Sequence, residues 1–231
     1  MRRTAAVTTI ALLLAGCASR TQEVAVAPPI AVPTPEPMPT PPNGAAAGLA
    51  IPQRLADGRF ATPNTGVSAN AAVWHLRAAL NVAVLGCPDP DGALAGTYNR
   101  FLATQRTPLA TAHSALATEY GTTDAFDGAM TRLYNYFALP PATAAFCDAA
   151  KPLLDAAAAL PTGDVTTFAT TALPVLDQPF VDFFARYDQY RSDLAAWQSS
   201  GGTALVRLDY DAAALAGAGG VTGGAVRTAG R

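Results

Sequence analysis

Two histidines are the side chains of this 231-residue chain best suited to acid–base or metal chemistry. An imidazole titrates near neutral pH and binds transition metals, so His75 and His113 are candidates for either role. Neither has a histidine partner at a helical ligand spacing, and neither belongs to an HExxH motif. We therefore predict two surface or core-edge residues, of which His113, beside the apolar stripe of its predicted helix, is the more buried.

A group of aspartates near residue 185 is the densest polar cluster. Paired carboxylates can hydrolyse glycosides when they face each other across a cleft. Spacings of five and six residues instead distribute these side chains around a helix, which predicts a solvated surface: Asp177, Asp182, Asp188 and Asp193. The chain also lacks a GxSxG elbow, a P-loop and a GxGxxG motif. We therefore predict no catalytic residue, no cofactor site and no metal site.

The N-terminal segment carries the most specific motif. Arg2 and Arg3 precede an uncharged, mostly apolar run over residues 5–15, which ends in the sequence Leu14-Ala15-Gly16-Cys17. Such a run rises about 16 Å as a helix, half of a ~30 Å hydrocarbon core, which disfavours a transmembrane helix. The segment resembles the signal peptides of bacterial lipoproteins, whose lipobox is cleaved before its cysteine. The resemblance covers residues 1–17 only.

This resemblance implies a location and a membrane partner. Residues 1–16 would be removed, and Cys17 would become the first residue and carry the lipid. Two or three acyl chains give lasting attachment to a bilayer. In that family an aspartate after the cysteine often retains the protein at the inner membrane, whereas Ala18 and Ser19 follow here. We therefore expect an outer-membrane lipoprotein that faces the periplasm, with the outer face of that membrane as the alternative.

Export of the chain would also determine the redox state of the two remaining cysteines, Cys87 and Cys147. Exported proteins keep disulfides, and these residues fall at the end of the first predicted helix and near the start of the fifth. Adjacent or antiparallel helices could bring them within bonding distance. We predict a disulfide; two buried thiols or a metal pair are the alternatives, although no CxxC spacing supports zinc.

The elements that must position these residues are amphipathic helices. Apolar residues recur at helical spacings over residues 66–200, which predicts an all-α bundle of five to six helices. Proline should kink or break the fifth helix at Pro152, and the last helix should begin after Pro179. The helical period puts Asp182 and Asp193 on the exposed side of that last helix and an aromatic stripe on the buried side: Phe180, Phe184, Tyr187 and Trp197.

The flanking segments have a different composition. Residues 17–65 include a proline-rich run over 28–42 and few large apolar side chains, which predicts a disordered, lipid-anchored Pro/Ala-rich linker. Residues 201–231 are rich in glycine and predict a flexible tail. One short strand is expected near residues 204–210, where Val206, Leu208 and Tyr210 alternate with other residues.

The charge of the chain excludes nucleic acids as partners, and three hypotheses about its function remain. With 15 Lys and Arg residues against 17 Asp and Glu residues, the chain lacks the basic surface that nucleic acids require. Our first hypothesis is a non-enzymatic structural or interaction role, with an envelope protein or the cell wall as partner. The second is a helical module that binds a small molecule or lipid. The third is an envelope hydrolase that uses His75 or His113.

Overall fold

The computed structural model describes residues 36–200, which form six α-helices and contain no β-strand. The predicted all-α bundle is therefore confirmed. Two short 3-10 helices accompany the six, at Pro42–Gly44 and Pro140–Ala142. The helices are α1 (Ala69–Gly86), α2 (Ala93–Thr104), α3 (Arg106–Tyr120), α4 (Thr123–Phe137), α5 (Thr143–Ala158) and α6 (Val165–Ser199).

Several sequence-based predictions lie outside the described residues. These are the signal peptide over residues 1–16, the lipid on Cys17, the linker as far as residue 35, the tail and the strand near residues 204–210. Between residues 36 and 200, no helix combines the length and the apolar character that crossing a bilayer requires.

Helix α1 lies at the centre of the bundle. Ser68 begins it, because its side chain accepts a hydrogen bond from the amide of Ala71 at 3.0 Å. Five of the six alanines of α1 are buried, together with the larger apolar residues Val73, Leu76 and Leu80. The small side chains let the neighbouring helices α3, α4, α5 and α6 pack against α1 closely. Few positions of α1 therefore face solvent.

Helix α6 is longer than predicted. It begins at Val165 instead of after Pro179, and both Pro174 and Pro179 lie inside it. An interior proline costs about 3 kcal/mol because it removes one backbone hydrogen bond and crowds the preceding turn. Leu173 and Leu176 are buried beside these prolines, and each buried leucine contributes about 1.5–3 kcal/mol. Packing of the flanking turns thus offsets the cost. The fifth helix likewise continues through Pro152 to Ala158, so the predicted break at this proline is absent, and Leu154 beside it is buried.

The predicted faces of α6 are confirmed, although the buried surface is broader than expected. The aromatic stripe is buried, and Asp182 and Asp193 are exposed. Phe183 and Tyr190 are buried as well. These two residues lie beside the predicted stripe, so α6 is covered on more than one side.

Part of this additional cover comes from residues 36–65, which we call the strap. The strap runs antiparallel to α6. At one end the indole of Trp197 donates a hydrogen bond to the Glu36 carbonyl at 2.8 Å. Further along, the Tyr187 hydroxyl accepts one from the Leu49 amide at 2.9 Å. Next to Tyr187 on α6, Asp188 pairs with Arg54 of the strap at 2.9 Å. Further towards the start of α6, Asp177 accepts a hydrogen bond from the Thr62 hydroxyl at 3.0 Å.

The described half of the predicted linker thus differs from the expectation that residues 17–65 contribute nothing to the core. Phe60 is only 5% exposed, and its ring lies 5.7 Å from that of Phe184. Leu49 and Ile51 also pack against the core. The Tyr187 side chain of α6 supplies hydrogen-bond partners to backbone groups of the strap, accepting from the Leu49 amide and donating to the Ala46 carbonyl.

The predicted cysteine pair is confirmed at disulfide distance. Cys87 directly follows α1, and Cys147 lies in the second turn of α5. Their Cα atoms are 5.5 Å apart, within the range of a disulfide, and both residues are buried. The link joins the end of the central helix to a helix 60 residues further along the chain.

Candidate functional site

A cavity of about 570 Å³ opens between the end of the strap, the start of α1 and the middle of α6. We call it the strap cavity. Its volume falls within the range of about 300–1,000 Å³ that small-molecule sites occupy. The apolar part of its wall includes Phe60, Val67, Ala72, Leu173 and Val181, and the polar part includes Thr62, Asn64, Thr65, Ser68, Thr170, Asp177 and Gln178.

Asp177 fixes the strap to the bundle at this cavity. Its Oδ1 atom accepts hydrogen bonds from the Asn64 side-chain amide at 2.5 Å and from the Tyr136 hydroxyl at 2.6 Å. Its Oδ2 atom accepts one from the Thr62 hydroxyl at 3.0 Å. Burial, and then the neighbouring carboxylate, raise the pKa of Tyr136 far above its ordinary value, so the phenol keeps the proton that it donates.

The prediction of a solvated surface for all four aspartates is therefore wrong for Asp177, which is half-buried. The strap covers this position, and a strap contact more than 110 residues away in sequence leaves no trace in the period of α6. The other three aspartates behave as surface residues. Asp188 pairs with Arg54, while Asp182 and Asp193 each accept a hydrogen bond from a glutamine one turn earlier.

His75 extends the same network into the core. Its Nδ1 atom lies 2.9 Å from the Asn64 side-chain oxygen, whose amide nitrogen already donates to Asp177. Nδ1 is therefore the protonated ring nitrogen. Burial lowers the pKa of His75 to about 4, so the ring is neutral near pH 7. The Nε2 atom is buried and has no hydrogen-bond partner among the described residues.

The relative burial of the two histidines is the reverse of the prediction. His75 is 2% exposed, whereas His113 is half-buried. Helices and the strap surround α1, so a position that an isolated helix would expose is covered here. His113 keeps its predicted place at the core edge, where its ring lies 4.5 Å from Trp74 and 5.2 Å from Phe126.

Acid should destabilise the fold through His75. Its folded pKa of about 4 lies below the ordinary value near 6.5, so between these values the unfolded chain binds a proton that the folded chain does not. We therefore expect the free energy of unfolding to fall as the pH drops through this window. The His75 contribution to this loss is about 3 kcal/mol.

Chemical denaturation across this pH window measures the effect. The chain is produced from residue 17 with Cys17→Ser, so that no lipid or detergent is present; we call it the unlipidated mature chain. His75→Gln should flatten the pH dependence, because a glutamine can replace the bond to Asn64 without titrating. His113→Gln serves as the control. Equal slopes for wild type and His75→Gln would contradict the assignment.

The network does not form an acid–base pair of the kind that hydrolases use. Asn64 lies between His75 and Asp177, whereas a catalytic dyad needs its base and its orienting carboxylate in direct contact. Within residues 36–200, no three histidine, cysteine or carboxylate side chains converge in a geometry suited to a metal ion.

The arrangement can hold a ligand against preorganised polar groups. Sequence reasoning missed Thr62, Asn64 and Tyr136 as members of the site, and the apolar residues Leu49, Ile51 and Phe60 were the signal that the strap folds back onto the helices. No protein-family model, curated protein or solved structure matches the chain.

Proposed function

We propose that the protein is an outer-membrane lipoprotein whose helical domain binds a small molecule in the strap cavity. The cavity is the observation that supports binding over a purely structural role. The lipobox-like sequence ending at Cys17 supports the anchor, and the residues after it support the outer membrane. We propose no catalytic role, because His75 and Asp177 are connected only through Asn64.

The construction of the cavity supports binding. The lining combines apolar side chains, among them Leu173 and Val181 from α6, with hydroxyl and amide groups. The apolar side chains would cover the hydrocarbon part of a ligand, and the polar ones can orient a polar group. Asp177 holds the strap residues Thr62 and Asn64 in place, so these polar groups are ordered before a ligand arrives. Such preorganisation lowers the entropy that binding would otherwise cost.

A matched pair of threonines tests this function. Thr170 and Thr171 are both exposed on α6, and each hydroxyl bonds to a carbonyl three residues earlier. Only Thr170 lines the cavity. Thr170→Trp should therefore fill the cavity and reduce ligand binding at least about tenfold, which corresponds to ~1.4 kcal/mol, whereas Thr171→Trp should leave binding unchanged.

Native mass spectrometry provides the measurement. The unlipidated mature chain is incubated with a small-molecule extract of bacterial envelopes, and bound species are released and weighed. Wild type and Thr171→Trp should retain the same species, and Thr170→Trp should lose it. Retention by Thr170→Trp, or no bound species on wild type, would contradict the proposal and favour the rival hypothesis of a structural or protein-interaction role.

A further inference from the structure

The two charged groups in the wall of the strap cavity do not neutralise each other. The wall contains one guanidinium, from Arg59, and one carboxylate, from Asp177. Arg59 already pairs with Asp57 at 2.7 Å, and its side chain is 74% exposed. Asp177 has no such partner, because the ion pairs within residues 36–200 are Arg59–Asp57 and Arg54–Asp188. The uncompensated charge in the wall is therefore negative.

Two more carboxylates accept hydrogen bonds from side chains that line the cavity. Glu119 accepts a hydrogen bond from the Ser68 hydroxyl at 2.9 Å, and Asp182 accepts one from the Gln178 amide at 2.7 Å. Ser68 and Gln178 both line the cavity. Because both carboxylates are exposed, water and salt screen them more than Asp177. All three charges have the same sign, so their fields add inside the cavity and attract a cation.

Asp177 also retains an acceptor position for a ligand. A carboxylate offers about four acceptor positions, and three are used by Asn64, Tyr136 and Thr62. Two of these bonds are on Oδ1, so the free position is on Oδ2. An ammonium group that donates there would form a charge-assisted hydrogen bond, which is about twice as strong as a neutral one.

We infer that the strap cavity takes a small organic cation, with an ammonium group on Asp177 and a compact hydrocarbon body against Leu173 and Val181. This inference rests on the proposed binding function and adds the chemical class of the ligand. A neutral or anionic ligand would leave the carboxylate partly buried without a counter-charge. Binding of a cation supplies that charge.

Three probes of nearly equal shape separate charge from shape: cyclohexylmethylamine, cyclohexylmethanol and cyclohexanecarboxylate. Their affinities for the unlipidated mature chain are measured near neutral pH by ligand-observed NMR. We expect the amine, which is protonated, to bind about tenfold more tightly than the alcohol, and the carboxylate to bind more weakly than the alcohol. Added salt should reduce the difference in affinity between the amine and the alcohol, because screening weakens the attraction of the ammonium group to the carboxylates.

Asp177→Asn removes the charge and replaces the Oδ2 acceptor by an amide donor, from which the Thr62 hydroxyl can accept, while the remaining oxygen still accepts from Asn64 and Tyr136. This variant should abolish the advantage of the amine and leave the affinity of the alcohol within about twofold. Asp193→Asn is the control, because Asp193 is an exposed carboxylate of the same helix that lies far from the cavity and accepts a hydrogen bond from Gln189. Glu119→Gln keeps the acceptor for Ser68 and leaves the Asp177 network intact. It should reduce the advantage of the amine even if Asp177→Asn fails to fold.

The outcomes separate this inference from the proposed function. Equal affinity for amine and alcohol, tighter binding of the carboxylate, or no binding of any probe would overturn the cationic assignment. The proposed function is judged separately, by whether Thr170→Trp loses the species that wild type retains from the envelope extract. A neutral species retained by wild type and lost by Thr170→Trp would support the function and contradict the inference.

Discussion

Replacing Phe184 with alanine should lower the free energy of unfolding by about 3–5 kcal/mol, whereas Asp193→Ala should change it by less than about 0.5 kcal/mol. Phe184 is 3% exposed and contacts the Phe60 ring of the strap and, at 6.2 Å, the Tyr136 ring of α4. Truncation removes these contacts and leaves a void where strap, α4 and α6 meet. Asp193 is exposed and bonds only to Gln189 among the described residues.

Chemical denaturation of both variants, as unlipidated mature chains, decides this prediction. The two positions lie on the same helix, so the comparison controls for general effects of substitution in α6. A similar loss for both, or a larger loss for the aspartate, would show that the face assignment of α6 is incorrect.

Replacing Cys17 with alanine or serine should release the protein from the outer-membrane fraction, or leave its signal peptide attached. The reason is that the proposed lipid on this cysteine holds the protein at the bilayer, since two or three acyl chains give lasting membrane attachment. Within residues 36–200, no helix is suited to cross a membrane in its place. The expected change is therefore close to complete redistribution to the periplasmic fraction once the signal is removed.

Membrane fractionation with mass analysis of the N-terminus measures this effect. Ser19→Ala, two residues further along, is the matched control and should remain membrane-bound with its lipid. A Cys17→Ala protein that has lost residues 1–16 and still sediments with the outer membrane would contradict the proposed anchor.

The helices and their buried faces could be predicted because they depend on residues close together in sequence. The spacing of Phe180, Phe184 and Tyr187 suffices to identify one side of α6, and the structure buries all three. The start of α6 at Val165, ahead of Pro174 and Pro179, was not predictable from local propensity. Whether an interior proline breaks a helix depends on the packing of the turns around it, and here Leu173 and Leu176 are buried.

The candidate site depends on contacts between residues that are far apart in sequence, and neither composition nor periodicity reveals such contacts. Thr62 and Asn64 reach Asp177 across more than 110 residues, and no periodicity marks such a pair. A proline-rich segment is typical of a free linker, yet the strap packs because Phe60, Leu49 and Ile51 supply apolar surface and Tyr187 supplies hydrogen bonds. The burial of His75 also depends on residues far apart in sequence, because the helices packed around α1 cover it.

Binding in the strap cavity is tested most directly by backbone-amide NMR of the unlipidated mature chain. Spectra are recorded with and without the small-molecule species that wild type retains from envelope extract. We expect shifts concentrated in residues 59–72 and 170–181, which form the cavity walls, and their loss in Thr170→Trp. Unchanged signals in both segments, or shifts confined to a distant surface such as the groove beside Trp74 and His113, would contradict the proposed site.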